Sequence, residues 1–291
     1  MAQPQYPADR GLRAKIGPGI EDKGTKEYMK DIQLSDLLKS GAHFGHQTSR
    51  WNPKMKQYIY TVRNNIHILD LEKTRSKLLD AMTFLKDTAA KGGVILFVGT
   101  KRQSKDAVRA AAIASGQPYI VTRWLGGTFT NFRTIQKTIK KMERYENMQA
   151  TGELEKNYTK KEKLMIEREL VKMHTLFEGI KDLRKLPDAI VIFDVKYDEI
   201  ALEEAFKSKV KIVGMVDTNS DPDKVDYVVP VNDDAIKAVQ YIAEALSDAV
   251  SEGKKNYTPT AQPKMAGAME APKAPSAEAV AAPAPTPASA K

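Results

Sequence analysis

The sequence predicts an α/β protein: a parallel sheet flanked by helices, flavodoxin- or Rossmann-like, with a protruding antiparallel coiled-coil helical hairpin. Short continuous apolar runs alternate with amphipathic helical patterns over most of the chain. Strands of that kind belong to a parallel sheet covered on both faces. The alternation stops between Phe132 and about Ile180, where apolar residues step by three and four and no strand pattern occurs. Two such stretches in a row, parted by a turn region, point to paired helices.

Taken in order, Leu34 to Lys39 predicts a short helix. Tyr58 to Val62 and Ile66 to Leu69 are short strand candidates about the turn Arg63-Asn64-Asn65. Leu71, Leu78, Met82, Leu85 and Ala89 share one helical face, and Gly92-Gly93 ends that helix. Val94 to Val98 predicts a buried strand, Lys105 to Ala114 a helix, and Tyr119 to Val121 another strand. Phe132, Ile135, Ile139 and Met142 form one narrow stripe; Ile166, Leu170, Met173, Phe177 and Ile180 form a second, with Thr151-Gly152 and Asn157 between them. A narrow stripe covers a partner helix and little else, so the pair is expected to stand out from the sheet. Beyond it come a strand (Ala189 to Phe193), a helix (Glu199 to Lys207) and strands at Val210 to Val216 and Tyr227 to Val229. A last helix is expected from about Asp233 to Glu252, with Asn232 as N-cap and two acids in its first turn.

The expected organisation is therefore one α/β sheet domain over residues 31–131 and 181–255, with the hairpin inserted at 132–180. Residues 1–30, rich in glycine, proline and mixed charge, predict an irregular extension. Residues 256–291 reduce to Ala, Pro, Lys and Ser, too little apolar surface to offset ordering entropy, and predict a disordered tail.

The 291 residues carry a formal charge of +9. That excess suits an anionic partner. The absence of cysteine excludes disulfides and thiolate zinc sites and suits a reducing compartment. No apolar run is long enough to span a bilayer. The first 30 residues contain acids and no apolar signal core, so the expected address is the cytosol.

Four constellations carry candidate chemistry. Arg123 to Phe132, RWLGGTFTNF, joins a cation, an indole and a Gly-Gly pair. Glycine lets a backbone approach a ligand, arginine reads phosphate, and tryptophan stacks on bases. The segment has no acid, histidine or cysteine, so it suits holding a ligand more than transforming one. Gly41 to Met55 contains His43, His46, Arg50, Trp51 and Lys54, a basic and aromatic mixture suited to RNA backbone; the two histidines lack an evident third metal ligand nearby. Gly99 to Gln103 follows a strand and includes Lys101 and Arg102, a setting for phosphate at a helix start, but neither GxxxxGK[ST] nor GxGxxG occurs. Arg133, Lys137, Lys140, Lys141 and Arg144 concentrate charge on the first hairpin arm. Asp217 to Asp223 opens like a calcium loop, yet Pro222 stands where glycine belongs, which leaves a turn. Asp70, Asp194 and Asp217 lie at strand ends without a partner base, so no catalytic residue is assigned.

The strings GAHFGHQTSRWNPKM, NNIHILDLEKT, FVGTKRQ, RWLGGTFTNF, LPDAIVIFDV, VDTNSDPD and VNDDAI, in this order, resemble the bacterial small-subunit ribosomal protein S-two family over about Ile32 to Val250. The resemblance implies a structural constituent of the small ribosomal subunit, cytoplasmic and in the ribosome, with no enzymatic activity, metal or cofactor. It implies rRNA and neighbouring small-subunit proteins as partners; in some bacteria the family helps dock ribosomal protein S-one. No membrane and no homo-oligomer are expected. The residues expected at RNA are Arg50, Trp51, Lys54, Lys101, Arg102, Arg123, Trp124, Arg133, Lys137, Lys140, Lys141 and Arg144. Two other classes stay open: an enzyme using nucleotides or sugar phosphates on the same sheet, and a coiled-coil module for a protein partner.

Overall fold

The structure, a computed structural model, describes residues 32–257. The extension expected over residues 1–30 lies outside the described residues, as does the expected tail apart from Asn256 and Tyr257.

The described chain opens with helix α1 (Leu34–Ser40) and an antiparallel sheet of β1 (Phe44–Gln47), β2 (Ile59–Arg63) and β3 (Ile66–Leu69), ordered β1-β3-β2. Asn64 and Asn65 close the β2–β3 hairpin at φ +51° and +59°. Two left-handed central residues match the right-handed strand twist, and asparagine tolerates that region better than most side chains. Helix α2 (Leu71–Ala90) follows, with the Asp70 carboxylate accepting from the Glu72 and Lys73 N–H groups.

Next come β4 (Ile95–Val98), α3 (Lys105–Ser115), β5 (Tyr119–Ile120), α4 (Phe132–Ala150), α5 (Glu153–Asn157), α6 (Lys160–Phe177), β6 (Ala189–Ile192), α7 (Glu199–Lys207), β7 (Lys211–Val216), β8 (Tyr227–Pro230) and α8 (Ile236–Lys255). The five later strands form one parallel sheet ordered β5-β4-β6-β7-β8. Renumbered within the sheet this is 2-1-3-4-5, the flavodoxin-like order. The order reverses between β4 and β6, so their C-terminal ends mark the place where such sheets take ligands.

Alternate side chains leave the sheet on opposite faces. Ile95, Phe97, Val191, Phe193, Val213 and Met215 pack beneath α1, α2, α3 and α8. Leu96, Val98, Ile190, Ile192, Ile212 and Val216 pack beneath α7 and the inner ends of α4 and α6. Helix α4 buries only Ile135, Ile139, Met142 and Met148, and α6 only Leu170, Met173 and Phe177. Thr159 and Glu162 form a reciprocal capping box that starts α6. Among the described residues no helix is long and apolar enough to cross a membrane.

Residues 41–58 hold regular structure that their motifs did not display: β1 and two 3-10 turns, Thr48–Arg50 and Pro53–Tyr58. A four-residue strand containing glycine and histidine has no alternation to reveal it, and its pairing with β3 is irregular. The last helix starts at Ile236, with Ala235 and not Asn232 as its cap and no acid in its first turn. Asp233 is buried and tied to Lys101, so residues 232–235 are held out of the helix. The Asn232 side chain instead accepts from the Asp234 N–H and donates to the Gly41 carbonyl.

Candidate nucleic-acid interface

The C-terminal edge of the parallel sheet is the natural ligand side, and here the chain fills it with its own groups. Thr100, just beyond β4, donates from its backbone and its hydroxyl to the Asp198 carboxylate, at 3.2 and 2.6 Å. Lys101 Nζ stands 2.9 Å from Asp194 and 2.8 Å from both Asp233 and Asp234, with its side chain 14% exposed. Burial would lower the Lys101 pKa; hydrogen bonds to Asp233, Asp234 and Asp194 outweigh burial and raise it above the ordinary lysine value. Asp233 is pushed up to about 7, by burial first and then by the charges of Asp194 and Asp217. An ammonium held this firmly offers neither a base nor a free charge for phosphate. The Asp198–Thr100 and Lys101–Asp194 links bridge the β4 and β6 loops across the reversal point, where a nucleotide would sit in an enzyme of this fold.

His46 reaches the same cluster from β1. Its Nδ1 lies 3.1 Å from Asp217 and its Nε2 3.4 Å from Asp234. Asp217 is the main cause of a raised His46 pKa, against opposition from burial. The His46 N–H also donates to Thr218 Oγ1, and the Asn52 N–H to the Thr218 carbonyl. The small sheet is thereby fastened to the end of β7. His46, Asp233 and Asp234 bring ligand atoms within 4.8 Å of one another. Lys101 already supplies a cation to both of those carboxylates.

The RWLGG loop also turns inward. The Glu204 carboxylate, on α7 and 7% exposed, accepts from the N–H groups of Gly127 (2.6 Å), Phe129 (2.8 Å) and Thr130 (3.3 Å). Backbone donors that would suit an external anion are occupied by an internal one. Trp124 is buried and meets Phe129 edge-on at 5.0 Å. It has no free face for a base, which corrects its placement among RNA-contact residues: it anchors the loop to the core. Trp51 is half-buried with its ring 5.0 Å from His67.

The remaining cations separate into held and free. Lys101 is held, a second correction, because its neighbours are buried carboxylates that would lose their counter-charge if it left. Lys54 bridges Asp221 and Asp223, and Lys141 pairs with Glu169 at 2.6 Å. Those pairs are exposed and screened by water, and they yield readily to a phosphate. Arg50, Arg102, Arg123, Arg133, Lys137, Lys140 and Arg144 are exposed. Arg133, Lys137, Lys140 and Arg144 recur at i, i+4, i+7 and i+11 on α4. That spacing sets them on one face over about 16 Å of helix axis. Among the described residues none of these four forms an ion pair.

Glu204, Asp198 and Asp234 were not singled out in the sequence. Glu204 left one trace: it falls in register with the buried Ala201 and Ala205 of α7, where an acid demands a partner. The family model described as ribosomal protein S2 matches residues 37–253.

Proposed function

The chain belongs to the ribosomal protein S2 family, and from that premise we propose that it is held in the small ribosomal subunit by rRNA lying along α4. Membership makes it a structural small-subunit ribosomal protein of the cytoplasmic ribosome and not an enzyme, associated with rRNA and other ribosomal proteins. The observation that carries the RNA reading is the unpaired row Arg133, Lys137, Lys140 and Arg144. Four cations on one helix face, with the neighbouring Glu143 engaged by Arg184, form a sequence-independent grip on phosphate. Arg123 and Arg102 extend the charge toward the sheet, and Lys141 and Lys54 join at the small cost of opening surface pairs.

In this reading residues 132–180 are an inserted coiled-coil arm, and the α/β domain at 31–131 and 181–255 is its base. The single buried stripe on each arm helix supports this. The filled strand-end crevice argues against the enzyme alternative. RNA recognition here rests on backbone shape and charge, which suits a folded rRNA surface.

Reversing Arg133, Lys137, Lys140 and Arg144 to glutamate in the full chain tests the arm. Co-sedimentation with small subunits is expected to fall, and the salt slope of rRNA binding to drop by about 3. The far-UV spectrum and melting temperature should hold, since all four side chains are exposed. Normal subunit occupancy in this variant would refute the arm as an RNA contact.

A further inference from the structure

A second surface with the marks of a polyanion site lies away from the hairpin. Between Asp36 and Asp70 the sequence has no acid, yet it contains Arg50, Lys54, Lys56 and Arg63. Folded, this stretch contains the small antiparallel sheet, with β2 at one edge and β1 at the other. Lys54 is engaged by Asp221 and Asp223. Arg50, Lys56 and Arg63 are exposed, and among the described residues no ion pair holds them.

Tyr60 stands in the middle of β2 and is 76% exposed, more than any other large apolar side chain described. Val62 follows two residues on and is also exposed. An aromatic ring left this open contributes little burial to the fold. The scaffold under it is well tied. The Asp70 N–H donates to the Tyr58 carbonyl at 2.9 Å, and Lys73 Nζ donates to the Gln57 carbonyl at 2.7 Å. The Thr48 N–H donates to the Asn65 carbonyl at 3.0 Å, which brings the turn containing Arg50 beside the hairpin tip next to Arg63.

We propose that the β2 edge binds an unpaired stretch of RNA, with a base stacked on Tyr60 and neighbouring phosphates taken by Lys56, Arg63 and Arg50. An exposed ring between cations is the arrangement that holds single strands without reading sequence. Duplex RNA hides its base faces, so the ring selects unstacked nucleotides. A peptide strand is the competing occupant of a free edge. It fits less well, because the pairing register breaks between Ile59 and Thr61 and the cations repel a basic strand. The proposal shares the rRNA partner of the previous section but none of the α4 residues.

The test uses the full chain, a short fluorescent oligouridylate and an RNA duplex of equal length. Tyr60→Ala is expected to weaken oligouridylate binding at least about fivefold, the low end for one base–aromatic stack, and to leave duplex binding unchanged. Tyr60→Phe retains the π face and the affinity. Lys56→Gln with Arg63→Gln lowers the salt slope by about 1 to 2. Equal oligouridylate affinities for Tyr60→Ala and the unaltered chain would overturn the proposal even if the α4 reversal blocks subunit entry. Normal entry of the α4 variant with a Tyr60-dependent oligouridylate affinity would sink the arm and leave this site standing. A photoreactive side chain at position 60 in assembled subunits is expected to cross-link to RNA; cross-linking to protein alone would favour the strand occupant and reject RNA.

Discussion

Glu204 lies between Ala201 and Ala205 on the buried face of α7 and spends its carboxylate on three loop N–H groups. No lysine or arginine pairs with it among the described residues, so the loop backbone is its counter-charge. Removing it leaves three donors at or near the core without an acceptor, each worth roughly 1–3 kcal/mol when fully buried. Rehydration of the loop returns part of that, and Glu204→Ala is expected to cost about 3 kcal/mol in chemical denaturation. Amide exchange at Gly127 and Phe129 should rise first; unchanged exchange there would refute the role. At His46 the issue is pH. The folded chain raises its pKa above 6.5, so its stabilising contribution is complete below 6.5 and is lost as pH rises through the folded value. Asp233 acts in the same direction: raised from 3.8 to about 7, it favours folding less as pH climbs across that range. Denaturation midpoints are expected to decline from mildly acidic to mildly alkaline pH, and His46→Gln to flatten the part above 6.5. A slope in that variant equal to that of the unaltered chain would remove His46 from the account.

Helix pairing shows how an element is positioned by what it lacks. Gly253 sits in α8 where a Cβ would come 2.8 Å from the Ala89 Cβ and closer still to the Lys86 carbonyl of α2. Helix propensity favours Gly253→Ala by up to about 1 kcal/mol, while forcing a methyl into a packed helix contact costs about 1–3 kcal/mol. Backbone cannot move aside as a flexible side chain can, so the clash wins and the variant is expected to melt lower. A higher melting temperature would show that the two helices part easily. Helices α4 and α6 show the reverse case. Of the expected stripes, Ile135, Ile139, Met142, Leu170, Met173 and Phe177 are buried, Phe132 and Ile166 only partly, and Met148 is buried besides. Lys141 pairs with Glu169 of α6, and Lys181, beyond the end of α6, pairs with Glu146, but at the surface these are worth tenths of a kilocalorie, and the apolar contacts dominate.

At the level of the molecule, a ligand-binding fold has been closed at its usual site. The strand order sets a crevice between β4 and β6, and Thr100, Asp198, Lys101 and Asp194 bridge it. Positive charge on α4 and on the small sheet remains available to a partner. The alternation of strands and helices was legible in the chain because period and length are local properties: Ile95–Val98 and Ala189–Ile192 read as buried strands from their apolar runs alone. So was the basic row on α4, since a helix fixes which residues share a face. The charge state of the site was not legible. Lys101 and Arg102 are neighbours and chemically alike in sequence, yet one is enclosed by carboxylates more than ninety positions away and the other is open to water. Trp124 reads as a stacking residue until Phe129 and the core cover it. Local order along the chain settles which elements form and which side chains they group; only folding decides which of those groups meet a distant partner, because burial and counter-charge are relations between segments that no single segment contains.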